Sequence, residues 1–503
     1  MSQNTSAAVS MNAPQAVKLS QKNLSSLPEG IRVPSYNRDA LSSGILHMSV
    51  GGFHRSHQAV YVDEYLSVAP SDWMITGVGL MPQDSTNLNH LKDQDGLYAV
   101  LERAPAADKV RIVGSMKSVI HAPTETDTLI NQIASSAIKI LSLTITEKGY
   151  YYNEKRDLDL NNPIIQGDIA LPAQPKTAYG YITKGLLKRR ADGVGPVTIM
   201  CCDNLPGNGH ITEHLLTQFL EKAAPDLIPW VKENVTFPNG MVDRITPVTT
   251  PAIQNILAEK FGVTDGWPVV CEDYIQWILE DKFIAGRPEF EKVGVQMVQE
   301  VEPYEKMKVR LLNGSHSALS YISYLMGYRA VDAAMADPLV SGFIKKYMDD
   351  DITSTLPSVP GIDLVAYKAK LIERFANPSI SDQVQRLAED GSQKIRNAIV
   401  PPMESQLQSG KSIKWMALAL AGWWRYLNGT DEQGQPIAIK DPMADALHAK
   451  AKEMPRDPMG LLSFDTIFGA ELSKNKELVS LMASYLEDFY TIGARSTLEK
   501  LLK

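Results

Sequence analysis

The sequence of 503 residues contains only three cysteines, Cys201, Cys202 and Cys271, too few for a disulfide scaffold in a chain of this size. None of them lies in a Cys/His pattern with zinc-ligand spacing, so no metal site is predicted. No apolar run approaches the roughly 20 residues that span a bilayer. The first 17 residues carry no Lys, no Arg and no apolar core, unlike a secretory signal peptide. These features favour a reducing cytoplasm as the location.

A dense cluster of basic residues is also missing. Lys and Arg number 50 against 58 Asp and Glu, which gives a net charge of −8 and no basic footprint for nucleic acid. Hydrophobic residues make up 44% and charged residues 21%, which excludes a disordered, collagen-like or coiled-coil chain. We therefore expect a globular enzyme of small metabolites, with neither a nucleic-acid nor a membrane partner.

Apolar, β-rich runs alternate with helical stretches in the first half of the chain, as in a parallel sheet covered on both faces. The predicted strands are 44–50, 73–80, 110–120, 138–146 and 197–202, with helices near 54–66 and 128–134. From about Pro251, long amphipathic segments dominate: 304–328, 366–375, 415–427 and 476–490. The pattern predicts an α/β fold with an N-terminal extension (1–30), a Rossmann-type dinucleotide-binding domain (31–245) and a mostly α-helical C-terminal domain (246–503).

The first predicted strand leads through a glycine-containing turn into a helix. Small residues there let backbone N–H groups approach a pyrophosphate. Asp84, beyond the second strand, could bond the adenosine ribose and repel a 2′-phosphate, which favours NAD over NADP. An ordinary strand-to-helix turn and a solvated Asp remain alternatives, because Ser49 stands where GxGxxG has its first Gly. The candidate coenzyme-binding residues are Val50, Gly51, Gly52, Phe53, His54, Arg55 and Asp84.

A second candidate site lies in the segment 304–316, which places four polar side chains on one side of a predicted helix. With Lys308 as reference, Glu305 lies about 60° away, His316 about 80° and Asn313 about 140°. A lysine with a lowered pKa can accept the proton of a secondary alcohol, and an asparagine amide can donate to the developing oxyanion. Taken alone, an ordinary amphipathic helix explains the same pattern.

Several longer motifs occur together along the chain. They are Gly51-Gly-Phe-His-Arg-Ser-His57, Thr146-Glu-Lys-Gly-Tyr150, Cys202-Asp-Asn-Leu-Pro206, Met241-Val-Asp-Arg-Ile-Thr-Pro247, Gln276-Trp-Ile-Leu-Glu-Asp281, Leu311-Leu-Asn-Gly-Ser-His316 and Arg374-Phe-Ala-Asn-Pro378. In this order they resemble the polyol-specific long-chain dehydrogenases and reductases, from about Leu19 to the C-terminus. So many ordered matches make chance implausible.

The resemblance implies a Rossmann-type domain, a helical domain, no zinc, and NAD-linked interconversion of a polyol with a ketose. The most similar members act on D-mannitol and D-fructose, and a monomer is expected. Lys308 resembles the family's general base, and Asn204 and Asn313 its oxyanion donors. His316 resembles the residue that orients the substrate, and Glu305 the carboxylate on the proton path. The residues that resemble the groups holding substrate hydroxyls are Asp243, Arg386 and Lys394.

Two other functions stay open at this point. A relative could act on arabinitol or sorbitol, or on hexuronates in the manner of a fructuronate reductase. A protein that binds coenzyme without catalysis could serve as a sensor, an idea that the departure at Ser49 motivates. The complete set of Lys308, Asn313 and His316 argues against the sensor.

Overall fold

The computed structural model describes residues 16–380 and 382–503, which form two compact units that divide between Val301 and Glu302. The first unit is an α/β structure and the second is mostly helical, so the predicted fold class is confirmed. In the described part of the chain, we find no helix whose length and apolar character would let it cross a membrane.

The first unit is organised around parallel strands. Its strands are β1 (Val17–Lys18), β2 (Ser43–Met48), β3 (Met74–Gly79), β4 (Tyr98–Arg103), β5 (Lys109–Val113), β6 (Met116–His121), β7 (Ile140–Leu143), β8 (Val197–Cys201), β9 (Val235–Thr236), β10 (Gly240–Asp243), β11 (Val263–Thr264), β12 (Val269–Glu272), β13 (Gln276–Glu280) and β14 (Gln296–Val298). The main sheet has the order β6-β3-β2-β7-β8-β9 with every pair parallel. Counted along the chain, this is the 3-2-1-4-5-6 order of a Rossmann fold.

The strands of the main sheet are apolar on both faces, because helices cover both sides of a parallel sheet. In β2, Leu46 and Met48 belong to one buried cluster with Leu141 of β7, whereas Ile45 packs with Ile75 of β3 in another. Smaller sheets join β12 to β4 and β5, β10 to β13 and β14, and β1 to β11.

The helices of the first unit connect these strands. They are α1 (Gly52–Ser56), α2 (Gln58–Val68), α3 (Asp84–Asp93), α4 (Thr126–Ala134), α5 (Thr146–Gly149), α6 (Pro163–Ile169), α7 (Ala178–Ala191), α8 (Asn208–Ala223), α9 (Ile228–Asn234) and α10 (Pro251–Phe261). Short 3₁₀ turns occupy Gln21–Ser26, Arg38–Ala40, Pro225–Leu227 and Phe290–Val293.

The second unit packs around two buried helices, Gly314–Leu325 and Lys414–Leu427, which contact each other. Its helices are α11 (Glu302–Lys308), α12 (Gly314–Leu325), α13 (Val331–Met335), α14 (Pro338–Lys346), α15 (Leu364–Phe375), α16 (Val384–Ala388), α17 (Gly391–Ala398), α18 (Val400–Gln408), α19 (Lys414–Leu427), α20 (Ala444–Glu453), α21 (Pro458–Leu462), α22 (Asp465–Phe468), α23 (Lys476–Thr491) and α24 (Gly493–Leu502). Two π turns, Val309–Asn313 and Tyr347–Ile352, and 3₁₀ turns at Thr353–Thr355 and Leu472–Lys474 complete it.

Three details differ from the sequence-based description. The units divide after Val301 rather than at residue 246, because strands β11 to β14 continue the first unit. The predicted strand 110–120 is two strands, β5 and β6, which enter different sheets. The predicted extension 1–30 lies partly outside the described residues, but within it β1 pairs with β11 and Leu19 is fully buried.

Candidate active site

The strand order places a crevice in the first unit. The sheet order reverses between β2 and β7, and ligands of open α/β sheets bind at the carboxyl ends of the strands beside such a switch point. The turn from Ser49 to Gly51 leaves β2 at this edge, and the loop that begins at Thr144 leaves β7 beside it. The predicted coenzyme turn therefore lies where the topology predicts a ligand.

Ser49 adopts a left-handed backbone conformation, with φ of +72°. Its N–H donates to the carbonyl of Val78 at 2.8 Å, which ties the turn to β3. A residue with a Cβ in this region costs about 1–2 kcal/mol, so Ser49 is strained where the usual motif has Gly. Beside it, a Cβ added to Gly51 would meet no atom closer than 4.0 Å, which leaves open space over the turn.

We expect Ser49→Gly to tighten the binding of NAD by up to about tenfold, the equivalent of about 1.4 kcal/mol. Glycine adopts positive φ without strain, so a larger fraction of the free protein would hold the turn in this conformation. A matched Ser49→Ala variant keeps the Cβ and loses only the hydroxyl, and should not tighten binding. Equilibrium titration with NAD measures both dissociation constants, and equal affinity in Ser49→Gly and its parent would show that the strain does not affect binding.

Asp84 begins α3 directly after β3, at the same edge of the sheet. Its carboxylate accepts a hydrogen bond from the N–H of Met81 at 2.9 Å. A Cβ added to Gly79 would lie 2.7 Å from the Cβ of Asp84, so the absence of a side chain at Gly79 allows the acid to approach the strand end. The position fits an acid that meets the ribose of a dinucleotide.

The side chains of His54 and Arg55 point into the interior. Each residue is 1% exposed. The ring of His54 stacks on His47 with a centroid distance of 3.4 Å, and the Arg55 guanidinium lies over Trp267 at 3.6 Å. Their predicted coenzyme contacts are therefore limited to their backbone amides, and the side chains hold the turn in place.

Asn204 is exposed at the carboxyl end of β8, and its neighbour Asp203 fixes the loop. The Asp203 carboxylate accepts from the N–H groups of Ile145 and Thr146, both at 2.9 Å, and from the Tyr150 hydroxyl at 2.7 Å. Burial raises the pKa of Asp203, and these donors act against that shift. The motifs that contain Tyr150 and Asn204 thus meet at Asp203, a role that sequence reasoning missed.

Asp243 is buried at the end of β10, beside Arg244, whose side chain is also buried. The guanidinium of Arg244 donates to the carbonyl of Ser56 at 2.6 Å, to that of Glu272 at 2.9 Å and to the carboxylate of Glu102 at 2.7 Å. Arg244 therefore joins the end of α1, at Ser56, to β10, the strand that carries Asp243.

In the second unit, Lys308 ends α11 and is only 6% exposed, with Glu305 one turn before it. The predicted continuous α-helix is interrupted by the π turn Val309–Asn313. One extra residue in the turn moves Asn313 to about 40° from Lys308 instead of 140°, and His316 to about 20°. The π turn thus aligns the three candidate residues better than the α-helical prediction did, and no sequence signal indicated it.

His316 lies in a cluster of charged side chains. Its partly buried ring packs on Phe375 with a centroid distance of 4.5 Å. Burial lowers the pKa of His316 to about 3, and the nearby Asp382, Arg386 and Lys394 act on it electrostatically. The structure therefore places His316, Arg386 and Lys394 near one another.

The two predicted substrate-binding cations differ in their settings. Arg386 is exposed and forms a two-pronged ion pair with Asp382, with a distance of 2.7 Å from Nε to Oδ1. Lys394 is partly buried and its ammonium donates to the carbonyl of Leu387 at 3.1 Å.

Among residues 16–380 and 382–503, no group of three or more His, Cys, Asp or Glu side chains could hold a metal ion.

A Rossmann sheet with an acid after its second strand is typical of dinucleotide-binding domains, and a buried lysine can serve as the general base of an oxidoreductase. The mannitol dehydrogenase Rossmann domain matches residues 43–292, and the mannitol dehydrogenase C-terminal domain matches residues 300–490. This chain belongs to the mannitol dehydrogenase family.

Similar proteins extend over nearly the whole chain. A mannitol 2-dehydrogenase of Aspergillus fumigatus is 41% identical over 496 residues, which cover 96% of this chain and 99% of that one. The structure of Pseudomonas fluorescens mannitol 2-dehydrogenase in ternary complex with NAD and D-mannitol is 41% identical, with a TM-score of 0.87 and coverage of 97% and 99%. A D-sorbitol dehydrogenase structure is 34% identical, with a TM-score of 0.88 and coverage of 95% and 100%.

Proposed function

We propose that this chain catalyses the NAD-dependent oxidation of D-mannitol to D-fructose and the reverse reaction, with hydride leaving C2 of the polyol. The observation that carries the proposal is the 41% identity to a mannitol 2-dehydrogenase solved with NAD and D-mannitol, over 97% of this chain. Lys308, Asn313 and His316 of the second unit support it.

The residues at the switch point fit NAD. The open space over Gly51 admits a pyrophosphate close to the backbone, and Asp84 stands where a ribose hydroxyl would be held. Val50, Gly52, Phe53 and the backbone amides of His54 and Arg55 complete the proposed coenzyme contacts. When bound, NAD supplies the acceptor for the hydride.

The proposed chemistry of the polypeptide is proton transfer and oxyanion stabilisation. The Lys308 amine accepts the proton of the C2 hydroxyl, and Glu305 passes that proton towards solvent. The amides of Asn204 and Asn313 donate to the oxygen as its negative charge grows. Because the pKa of His316 is about 3, its ring is neutral at neutral pH and offers one donor and one acceptor that orient the substrate. The side chains proposed to hold the other hydroxyls are Asp243, Arg386 and Lys394.

The test is NAD reduction with a panel of D-mannitol, sorbitol, arabinitol and hexuronates. We expect the highest kcat/KM with D-mannitol. The second candidate substrate is sorbitol, because a D-sorbitol dehydrogenase structure covers 95% of the chain at 34% identity. Activity with none of the panel would contradict the proposal and favour a sensor that binds coenzyme without catalysis.

Asp84→Ala should relax the preference for NAD, because the carboxylate repels the 2′-phosphate of NADP. Two like charges a few ångström apart near a surface interact by about 1–4 kcal/mol, so we expect NADP binding to improve by about 10–10²-fold. Asp93→Ala, at the other end of α3, is the matched control and should change nothing. Dissociation constants for both coenzymes decide the outcome, and an unchanged NAD/NADP ratio in Asp84→Ala would show that another group selects the coenzyme.

We also propose that the enzyme acts in the cytoplasm as a monomer. The three cysteines support a reducing compartment, because all of them are free and buried. Light scattering of the purified protein tests the monomer, and a mass of twice the chain's would contradict it.

A further inference from the structure

The two π turns of the second unit pack against each other. The turn Val309–Asn313 separates Lys308 from Asn313, and the turn Tyr347–Ile352 contacts it. Such turns are rare and occur frequently at functional sites. Gly314, the first residue after the first turn, donates its N–H to the carbonyl of Val309, five residues earlier. This i→i+5 bond closes the turn.

The contact between the turns leaves no room for a side chain at Gly314. A Cβ placed there would lie 2.4 Å from the hydroxyl oxygen of Tyr347, well inside van der Waals contact. The next nearest atoms are Cζ of the same ring at 3.4 Å and the carbonyl oxygen of Ala398 at 3.5 Å, both tolerable distances. The hydroxyl of Tyr347 alone therefore makes alanine incompatible with this position.

The Tyr347 hydroxyl is also unusual in itself. It is buried and has no hydrogen-bond partner among the described residues, an arrangement that costs free energy and that phenylalanine would avoid. The turn that carries this hydroxyl is held in place by hydrogen bonds to α19. The carboxylate of Asp351 accepts the N–H groups of Trp415 and Met416, both at 2.8 Å, at the start of α19. Tyr347 therefore contacts Gly314 from a turn that hydrogen bonds to α19 hold in place.

We infer that Gly314 is a positioning residue for the reaction. Because Gly314 has no side chain, the start of α12 can pack directly on Tyr347, and this contact fixes the first π turn and with it the spacing between Lys308 and Asn313. The inference rests on the proposed function, since it assigns a purpose to the geometry of those two residues.

A double-mutant cycle tests this role. Gly314→Ala should lower kcat for D-mannitol oxidation by about 10²-fold, the usual cost of a displacement near 1 Å. NAD affinity should stay at the parental value, because the coenzyme turn lies in the other unit. Tyr347→Phe alone should have a small effect. In the Tyr347→Phe/Gly314→Ala variant the clash is gone, and kcat should return close to that of Tyr347→Phe.

Gly460→Ala is the matched control for a general packing defect. A Cβ at Gly460 would lie 2.6 Å from the ring of Trp424, yet α21 carries none of the proposed site residues. This variant should lose thermal stability and keep kcat per folded enzyme. A parental kcat in Gly314→Ala, or a double variant no faster than Gly314→Ala, would overturn the inference. A parent inactive with every polyol would overturn the proposed function, and the inference with it.

Discussion

Replacing Lys308 with alanine is expected to lower kcat for D-mannitol oxidation by about 10²–10⁴-fold or more, the scale of lost acid–base catalysis. Lys308 is the buried lysine at the end of α11, 6% exposed and aligned with Asn313 and His316 by the π turn. Its amine is the proposed acceptor of the C2 hydroxyl proton. Steady-state rates of NAD reduction with D-mannitol give the measurement.

Lys306→Ala is the control for this variant. Lys306 lies two residues away on the same helix, but its side chain is 44% exposed and pairs with Glu302. Its removal should leave kcat unchanged. Both variants should bind NAD with the parental affinity, because Lys308 is assigned to the substrate. A Lys308→Ala variant that oxidises D-mannitol at near-parental rates would show that the lysine is not the base.

The pH dependence of the parent enzyme's rate should distinguish the contribution of Lys308 from that of His316. Only a neutral amine accepts a proton, so oxidation should become faster as pH rises, and D-fructose reduction should be favoured at lower pH. His316 does not contribute a step near neutral pH, because its pKa is lowered to about 3. An oxidation rate with no rise at alkaline pH would contradict a lysine base.

The second large effect is expected for Asn313→Ala, with a loss of about 10²–10³-fold in kcat, as for other lost oxyanion donors. The amide stabilises charge that is present only as the proton leaves, so KM should change much less than kcat. Ser315→Ala, two residues further along, removes a buried hydroxyl without a partner among the described residues and should be nearly neutral. A higher KM with an unchanged kcat would instead assign Asn313 to ground-state binding.

The Rossmann domain could be predicted because its strands have strong local signals. Each of β2, β3 and β8 is a short apolar run bounded by polar or small residues, and the turn after β2 carries glycines. The later strands β11 to β14 are only two to five residues long and contain polar positions. They depend on pairing with distant segments, so the sequence pattern alone predicts a boundary before them.

The geometry of the lysine helix could not be predicted in full. Glu305 and Lys308 share one α-helix, so their common side followed from the periodicity. The π turn packs on residues that are distant in the sequence, with Gly314 against Tyr347, 33 positions further along. Likewise, Arg55 belongs to a motif typical of coenzyme binding, and only the packing against Trp267 shows that its guanidinium faces inward.

The most direct test of the central claim is rescue of Lys308→Ala with small primary amines. Removal of the buried side chain leaves a cavity in which an exogenous amine can take the place of the lysine. If Lys308 is the base, added amines restore D-mannitol oxidation in a saturable manner, and the pH dependence of the rescued rate follows the pKa of each amine. An inactive variant that no amine restores, or one whose rescued pH profile is the same for every amine, would contradict the role of Lys308 as general base.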